Sequence, residues 1–505
     1  MLTSWGALVI NILHGFIVPR LIDRSMSQQE LGIWDLSWNV VAYFGLINMG
    51  LTSSVNRYIA KYAAVNDYDS VNRTFTSIFG ITVLVGIFII VISLIVSFPV
   101  IDLIHFKNSA DLKMARWIIF TLGASMGIST ILSPFGGLLT GNHRWDLHNQ
   151  AYSATNIMNF VFTLAALYLN FGLIGCALAN LIAETVGWGM RVYYSFSKFR
   201  YLNISKKYFS YCTVKEMVKF GGKTFIPRVG ELISNQSINM LITAKFGTAA
   251  LALYSRPRAL IRIIQTFIMK YALVFTPAAS SIQSSGKKEE LKELFIRAQF
   301  YSNVLCLPAI LFLMVMGGPL LELWMGANYR NSVLIAVMAF SQFTLIANAT
   351  GYSIISGLNK HGRLGIITLI GQCFSLMIAW VMINCMNFNL KWIPLAIGIP
   401  MTIIYGFYLP FFACKELGIK FLNYTFSVYK VPLLCMIPYL ACLVLSRIML
   451  SGNVLIVLFS GTASGVIVLM ILYWKYVLPR NIKTKIINEF LKKCKISPKP
   501  SGIKM

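Results

Sequence analysis

Residues 81–98 read ITVLVGIFIIVISLIVSF, eighteen residues without a charge, and runs of this kind recur along nearly the whole chain. A helix needs about 20 predominantly apolar residues to cross the hydrocarbon of a bilayer, and a transmembrane barrel instead uses alternating strands of about ten. Of the 505 residues, 57% are hydrophobic and 12% charged, and the mean hydropathy of +0.69 excludes a soluble multidomain protein. The chain is therefore expected to be an all-α integral membrane protein with about 14 transmembrane helices, from Leu2–Leu21 to Val454–Tyr476. The first stretch has no basic start or small-residue cleavage site, so it reads as a span rather than a removable signal. No soluble domain is expected beside the spans.

A net charge of +27 would suit nucleic acid, but the basic residues follow the loops. With the amino terminus in the cytoplasm, Arg191, Lys198, Arg200, Lys206, Lys207, Lys215 and Lys219 lie inside, as do Lys287, Lys288, Lys292, Arg297 and the tail from Arg480 to Lys504. The opposite loops hold few, such as Arg20, Arg24, Lys107 and Arg330. This asymmetry predicts two cytoplasmic termini and attraction to anionic lipid, with no nucleic-acid partner. The nine cysteines and five histidines are scattered without disulfide or metal spacing, so no cofactor and no metal is expected. There is no Walker phosphate loop, no H-E-x-x-H and no G-x-S-x-G, and the loops are short; the chain does not read as an enzyme.

Two halves resemble each other. Gly141 and Gly357 both follow a small hydroxyl residue and open a basic turn, 216 positions apart, while Leu31-Gly32-Ile33-Trp34 and Leu251-Ala252-Leu253-Tyr254 open spans 220 apart. Six spans per half keep equivalent helices in the same direction, a parallel repeat about an axis along the membrane normal, with a substrate site between the halves. The expected division is an N-terminal lobe over 1–196, a basic cytoplasmic linker over 197–217 and a C-terminal lobe over 218–413. The two additional spans fall within 414–477, and a basic tail covers 478–505.

Polar residues inside spans are costly, about 2.5–3.5 kcal/mol for a charge at a helix centre, and usually face a cavity. On the seventh span Arg228, Glu231, Asn235 and Asn239 recur at helical spacing on one face. They either line a lumen or pair within the helix and against a neighbour. On the eighth, Arg258, Arg262 and Gln265 share a face, with Arg256 and Lys270 rotated from it. Arginine suits phosphate through its planar fork, whereas Arg256, near the helix end, is expected to snorkel to headgroups. Asp35 on span two and Glu184 on span six are acids that could carry a proton or sodium, and Asp35 could instead be the counter-charge of an arginine. Pro19, Gly221, Gly222, Pro227 and Gly230 mark places where spans could bend.

The segment SMSQQELGIWDLSWNVVAYFGLINMGLTSSVNRYIAKYAAVNDYDSVNR resembles the second-helix signature of bacterial polysaccharide transporters, and LLTGNHRW and KFGTAALALYSRPRALIRII are similar to the same group. These are oligosaccharidyl-lipid flippases of the O-antigen type, in the superfamily of multidrug exporters and the lipid II flippase. The resemblance implies two six-helix bundles in a V, with spans one, two, seven and eight lining a cationic cavity. Asp35, Arg228, Glu231, Arg258, Arg262 and Lys270 then become substrate-binding candidates, joined by Asn235 from the polar stripe. It also implies a lipid-tail groove beside the last two spans, over Tyr429–Tyr476. Span one carries only Arg20 at its outer end, which departs from the pattern. The implied substrate is an undecaprenyl-diphosphate-linked oligosaccharide crossing a bacterial inner membrane, with membrane lipids and other polysaccharide-assembly proteins as partners. The rival readings are a multidrug antiporter of the same fold, which would favour carboxylates in the lumen, and an integral-membrane glycan polymerase, which would need a sizeable outer loop.

Overall fold

The computed structural model describes residues 2–100, 109–450, 452–479, 481, 483 and 484, with side chains described except at 2–9, 11, 46–54, 99–100, 218–228, 231 and 361. Among the described residues every regular element is helical. The chain runs through α1 (Leu2–Ser25), α2 (Gln28–Ala63), α3 (Tyr68–Ile95), α4 (Ser109–Gly141), α5 (Trp145–Tyr168) and α6 (Gly172–Lys198). There follow α7 (Tyr211–Phe246), α8 (Thr248–Leu273), α9 (Phe275–Ser284), α10 (Lys288–Met325), α11 (Ser332–Ala347) and α12 (Ala349–Gly357). The remainder is α13 (His361–Asn384), α14 (Leu395–Met401), α15 (Leu409–Leu417), α16 (Phe421–Met449) and α17 (Val454–Leu472).

Ten helical stretches among the described residues are long and apolar enough to cross a bilayer. They do not include α1, α2, α5 or α7, each of which brings polar side chains to the cavity described below. The outward faces are apolar: Leu84 on α3 is 69% exposed and Phe459 on α17 79%, an arrangement that only a lipid solvent makes inexpensive. This is a multi-pass membrane protein.

Local chemistry sets the helix starts. In the Ser27-x-x-Glu30 capping box, the Glu30 amide donates to Ser27 Oγ (3.2 Å) and Ser27 Oγ donates to a Glu30 carboxylate oxygen (2.9 Å), fixing where α2 begins. Ser210, Asn331 and Asn453 cap α7, α11 and α17 in the same sense, each accepting a backbone N–H. The basic stretch before α7 lies along the start of α3. Asn72 Nδ2 donates to the Tyr201 carbonyl (2.9 Å), and Ser77 Oγ accepts the Ser210 amide (2.9 Å).

Packing divides the chain into two compact units: residues up to Ile263 with Gly362–Ile404, and Ile264–His361 with the chain from Tyr405 on. This grouping follows helix packing, whereas the sequence division into lobes follows the repeat. In the first unit Phe75, Ile78, Phe135 and Leu138 form a core with Ile59 of α2, while in the second Met316 packs with Met436, Tyr439 and Leu458.

The repeat is visible inside each unit. A Cβ on Gly141 would press on Ile59 and the Asn56 carbonyl of α2, and one on Gly357 would press on Ala279 and the Thr276 carbonyl of α9. Asn56 and Thr276, like Ile59 and Ala279, are 220 positions apart, and the left-handed turn residues His143 (φ 60°) and Asn359 (φ 58°) are 216 apart. Each pair places a small residue at a close helix crossing, followed by the same turn two residues on.

Candidate functional site

A cavity of about 570 Å³ lies within the first unit, lined by α1, α2, α5, α6, α7 and α8. The lining residues occupy the late parts of α1, α5 and α7 and the early parts of α2, α6 and α8, all at one end of the helices. Pro19 on α1 cannot donate to the Gly15 carbonyl, and both residues border the cavity, so a backbone acceptor lacking its helical donor is presented there. A Cβ on Gly15 would meet nothing within 4 Å.

The cationic side comes from α8, where Arg256, Arg258 and Arg262 all reach the cavity. Asp35 is the acid among the described lining residues, and it is engaged. Arg256 Nη2 donates to both of its carboxylate oxygens, with side chains 5% and 14% exposed. Arg258 Nη1 donates to Asn239 Oδ1 (3.4 Å), Asn239 Nδ2 to Asn39 Oδ1 (2.8 Å) and Asn39 Nδ2 to the Asp35 carbonyl (2.7 Å). This relay ties α8, α7 and α2 together through hydrogen bonds between their side chains. Asn159, Thr163, Asn180 and His14 add polar groups to the lining from α5, α6 and α1, and the buried His14 Nε2 has no protein partner.

Asp35, Arg258 and Arg262 line one cavity. Asn235 is not among its lining residues; Gln236 and Asn239 hold that face of α7. Lys270 lies further along α8, in the second unit, and is not a lining residue. The side chains of Arg228 and Glu231 lie outside the described residues. Arg256 corrects the sequence reading: it does not snorkel to headgroups but is buried against Asp35, because α2 supplies a counter-charge that helix position alone could not reveal. Asn159, Thr163, Asn180 and His14 were missed. Their only sequence signal is polarity within spans, which hydrogen bonding to a neighbouring helix explains equally well.

The turn after α4 is electrostatically separate. Arg144 donates through Nε and Nη2 to Asp146 (3.0 and 2.8 Å), and these hydrogen bonds hold the Asp146 carboxyl down at about 2.

Residues 24–334, more than half of the chain, match the family described as polysaccharide biosynthesis protein. The chain belongs to that family. A membrane protein of Methanocaldococcus jannaschii is similar at 22% identity over 449 residues, covering 83% of this chain and 82% of that protein. A Shigella flexneri protein named as an O-antigen transporter is 22% identical over 366 residues, 69% of this chain and 84% of that one. A multidrug resistance transporter of the MATE family, in the MOP superfamily and solved facing inward, shares the fold at a TM-score of 0.69 and 17% identity, over 82% of this chain and 94% of that one. This member of the polysaccharide biosynthesis family thus has the fold of that MOP-superfamily transporter, and the two relatives are named as a membrane protein and as a transporter.

Proposed function

We propose that this protein flips undecaprenyl-diphosphate-linked oligosaccharide units from the cytoplasmic to the outer leaflet of a bacterial inner membrane, with both termini cytoplasmic, for assembly of O-antigen or a related surface glycan. The observation that carries this reading is the sign of the cavity: three arginines reach it, and Asp35, its acid among the described residues, already belongs to Arg256. A polyprenyl chain can stay in lipid while a diphosphate and several sugars cross about 30 Å of hydrocarbon, which requires a wet, positive passage. Guanidinium forks pair with phosphate oxygens, and the Asn39, Asn159, Asn180 and Gln236 amides suit sugar hydroxyls. Family membership and the relative named for O-antigen support the substrate class, and the inward-facing relative of the same fold supports alternating access. Arg228, Glu231 and Lys270 remain part of this proposal through the family resemblance.

A cationic-drug antiporter would need an available carboxylate where this cavity presents arginine. The deciding test is Arg262→Ala in cells whose surface glycan depends on the protein. Surface glycan should be lost at unchanged membrane abundance, and Arg262→Lys should restore it only partly, because lysine keeps the charge without the fork. Normal glycan in the alanine variant at native expression would remove Arg262 from the path.

A further inference from the structure

Outside the polar cavity, the same pair of helices builds a second and chemically opposite site. A groove of about 650 Å³ is formed by Leu21, Arg24 and Ser25 of α1 with Leu164, Leu167 and Tyr168 of α5. It begins one residue beyond the cavity along α5, where Thr163 borders the cavity and Leu164 the groove, and two residues beyond it along α1, from Pro19 to Leu21. Successive helical residues point about 100° apart, so the α1–α5 seam carries polar groups on one side and leucines on the other. The groove is open: Tyr168 is 87% exposed, and the adjoining Leu13, Ile17, Ile157 and Val161 are exposed apolar residues on the same two helices. Arg24, in the last turn of α1, sets a positive charge at the groove's end.

We propose that this groove holds the first isoprene units of the transported lipid while its diphosphate is engaged from the cavity side, so that the α1–α5 seam is the lateral exit of the substrate. The inference rests on the flippase reading, and two observations select its occupant. Along one helix pair the groove's lining residues follow directly on the cavity's, Leu164 after Thr163 and Leu21 shortly after Pro19, which suits a molecule charged at one end and apolar at the other. The apolar wall also ends at Arg24, which complements a phosphate at the headgroup level. A prenyl chain leaving the groove would then run along Leu13, Ile17, Ile157 and Val161 into the bilayer core.

The test uses the full-length protein in nanodiscs and two probes, an undecaprenyl-diphosphate oligosaccharide and the same oligosaccharide diphosphate capped with methyl. Ala165, between Leu164 and Leu167, also lines the groove and does not line the cavity, so Ala165→Trp fills the groove. Displacing about two buried methylenes corresponds to about tenfold in affinity, so the variant should bind the undecaprenyl probe about tenfold more weakly and the methyl probe within about twofold of wild type. Equal weakening of both probes, or weakening of neither, overturns the groove assignment and leaves the flippase reading standing. Wild-type protein that binds neither probe overturns the flippase reading itself. A second measurement does not depend on the bulky variant. Photoreactive benzoyl-phenylalanine in place of Leu167 should capture the undecaprenyl probe in preference to phosphatidylglycerol present in excess. Equal capture would make the groove an ordinary annular lipid site, and capture only from residues on α16 and α17 would move the tail to the other unit.

Discussion

Separating Asp35 from Arg256 should be among the most damaging single changes in the first unit. With side chains 14% and 5% exposed, neither group can recover its hydration when the other is removed. Removing one member of a buried pair costs about 3–5 kcal/mol, whereas replacing both by apolar residues of similar volume is often neutral or stabilising. The Arg256 Nε has no protein partner, so the native pair is imperfectly satisfied and the lower end of that range applies. Asp35→Leu and Arg256→Met are thus expected to cost about 3 kcal/mol each, and the double variant no more than about 1 kcal/mol. The coupling between them should be at least about 5 kcal/mol in the direction of mutual rescue. Reversible unfolding in mixed detergent micelles, followed by tryptophan fluorescence, reads this directly, because Trp34 and Trp38 flank Asp35 and border the same cavity. Single variants within about 0.5 kcal/mol of wild type, with a double variant equal to their sum, would refute a buried, charge-neutralising pair. The inference that the cavity's acid is already engaged would fall with it.

Further outcomes follow from the same packing. A Cβ on Gly32 would run into the backbone of Thr248, so Gly32→Ala should force α2 from the start of α8 and cost about 1–3 kcal/mol in the same unfolding assay; an unchanged stability would show that this contact is looser than described. Gly15 lines the cavity and a Cβ there would meet open space, so Gly15→Phe should reach normal membrane abundance yet lose transport, and full transport would place the path elsewhere. In a background freed of its native cysteines, among them the exposed Cys212, Cys373 and Cys385, Lys206→Cys should resist a membrane-impermeant maleimide added to intact cells, and efficient labelling would invert the proposed topology.

The helical class, the membrane solvent and the repeat were legible in the chain because each is written locally. Continuous apolarity such as residues 81–98 leaves a helix as the only affordable backbone in lipid, and the 216–220 offset survives in residues whose smallness or turn geometry is needed at each copy, Gly141 with His143 and Gly357 with Asn359. Element ends moved where a side chain captures a backbone group. The second span expected from Ile33 begins at Gln28 because Ser27 and Glu30 cap it, and the tenth breaks into α11 and α12 at Asn348. The candidate site was half legible. Spacing put Arg258, Arg262 and Asn239 on inward faces, because i, i+4 positions share a face whatever lies opposite. It could not choose Gln236 over Asn235, recruit Asn159, Thr163 and Asn180, or turn Arg256 inward, because each depends on which helix stands opposite. A buried polar group is affordable only beside its partner. Asp35 and Arg256, 221 positions apart, become partners only when α2 and α8 pack together.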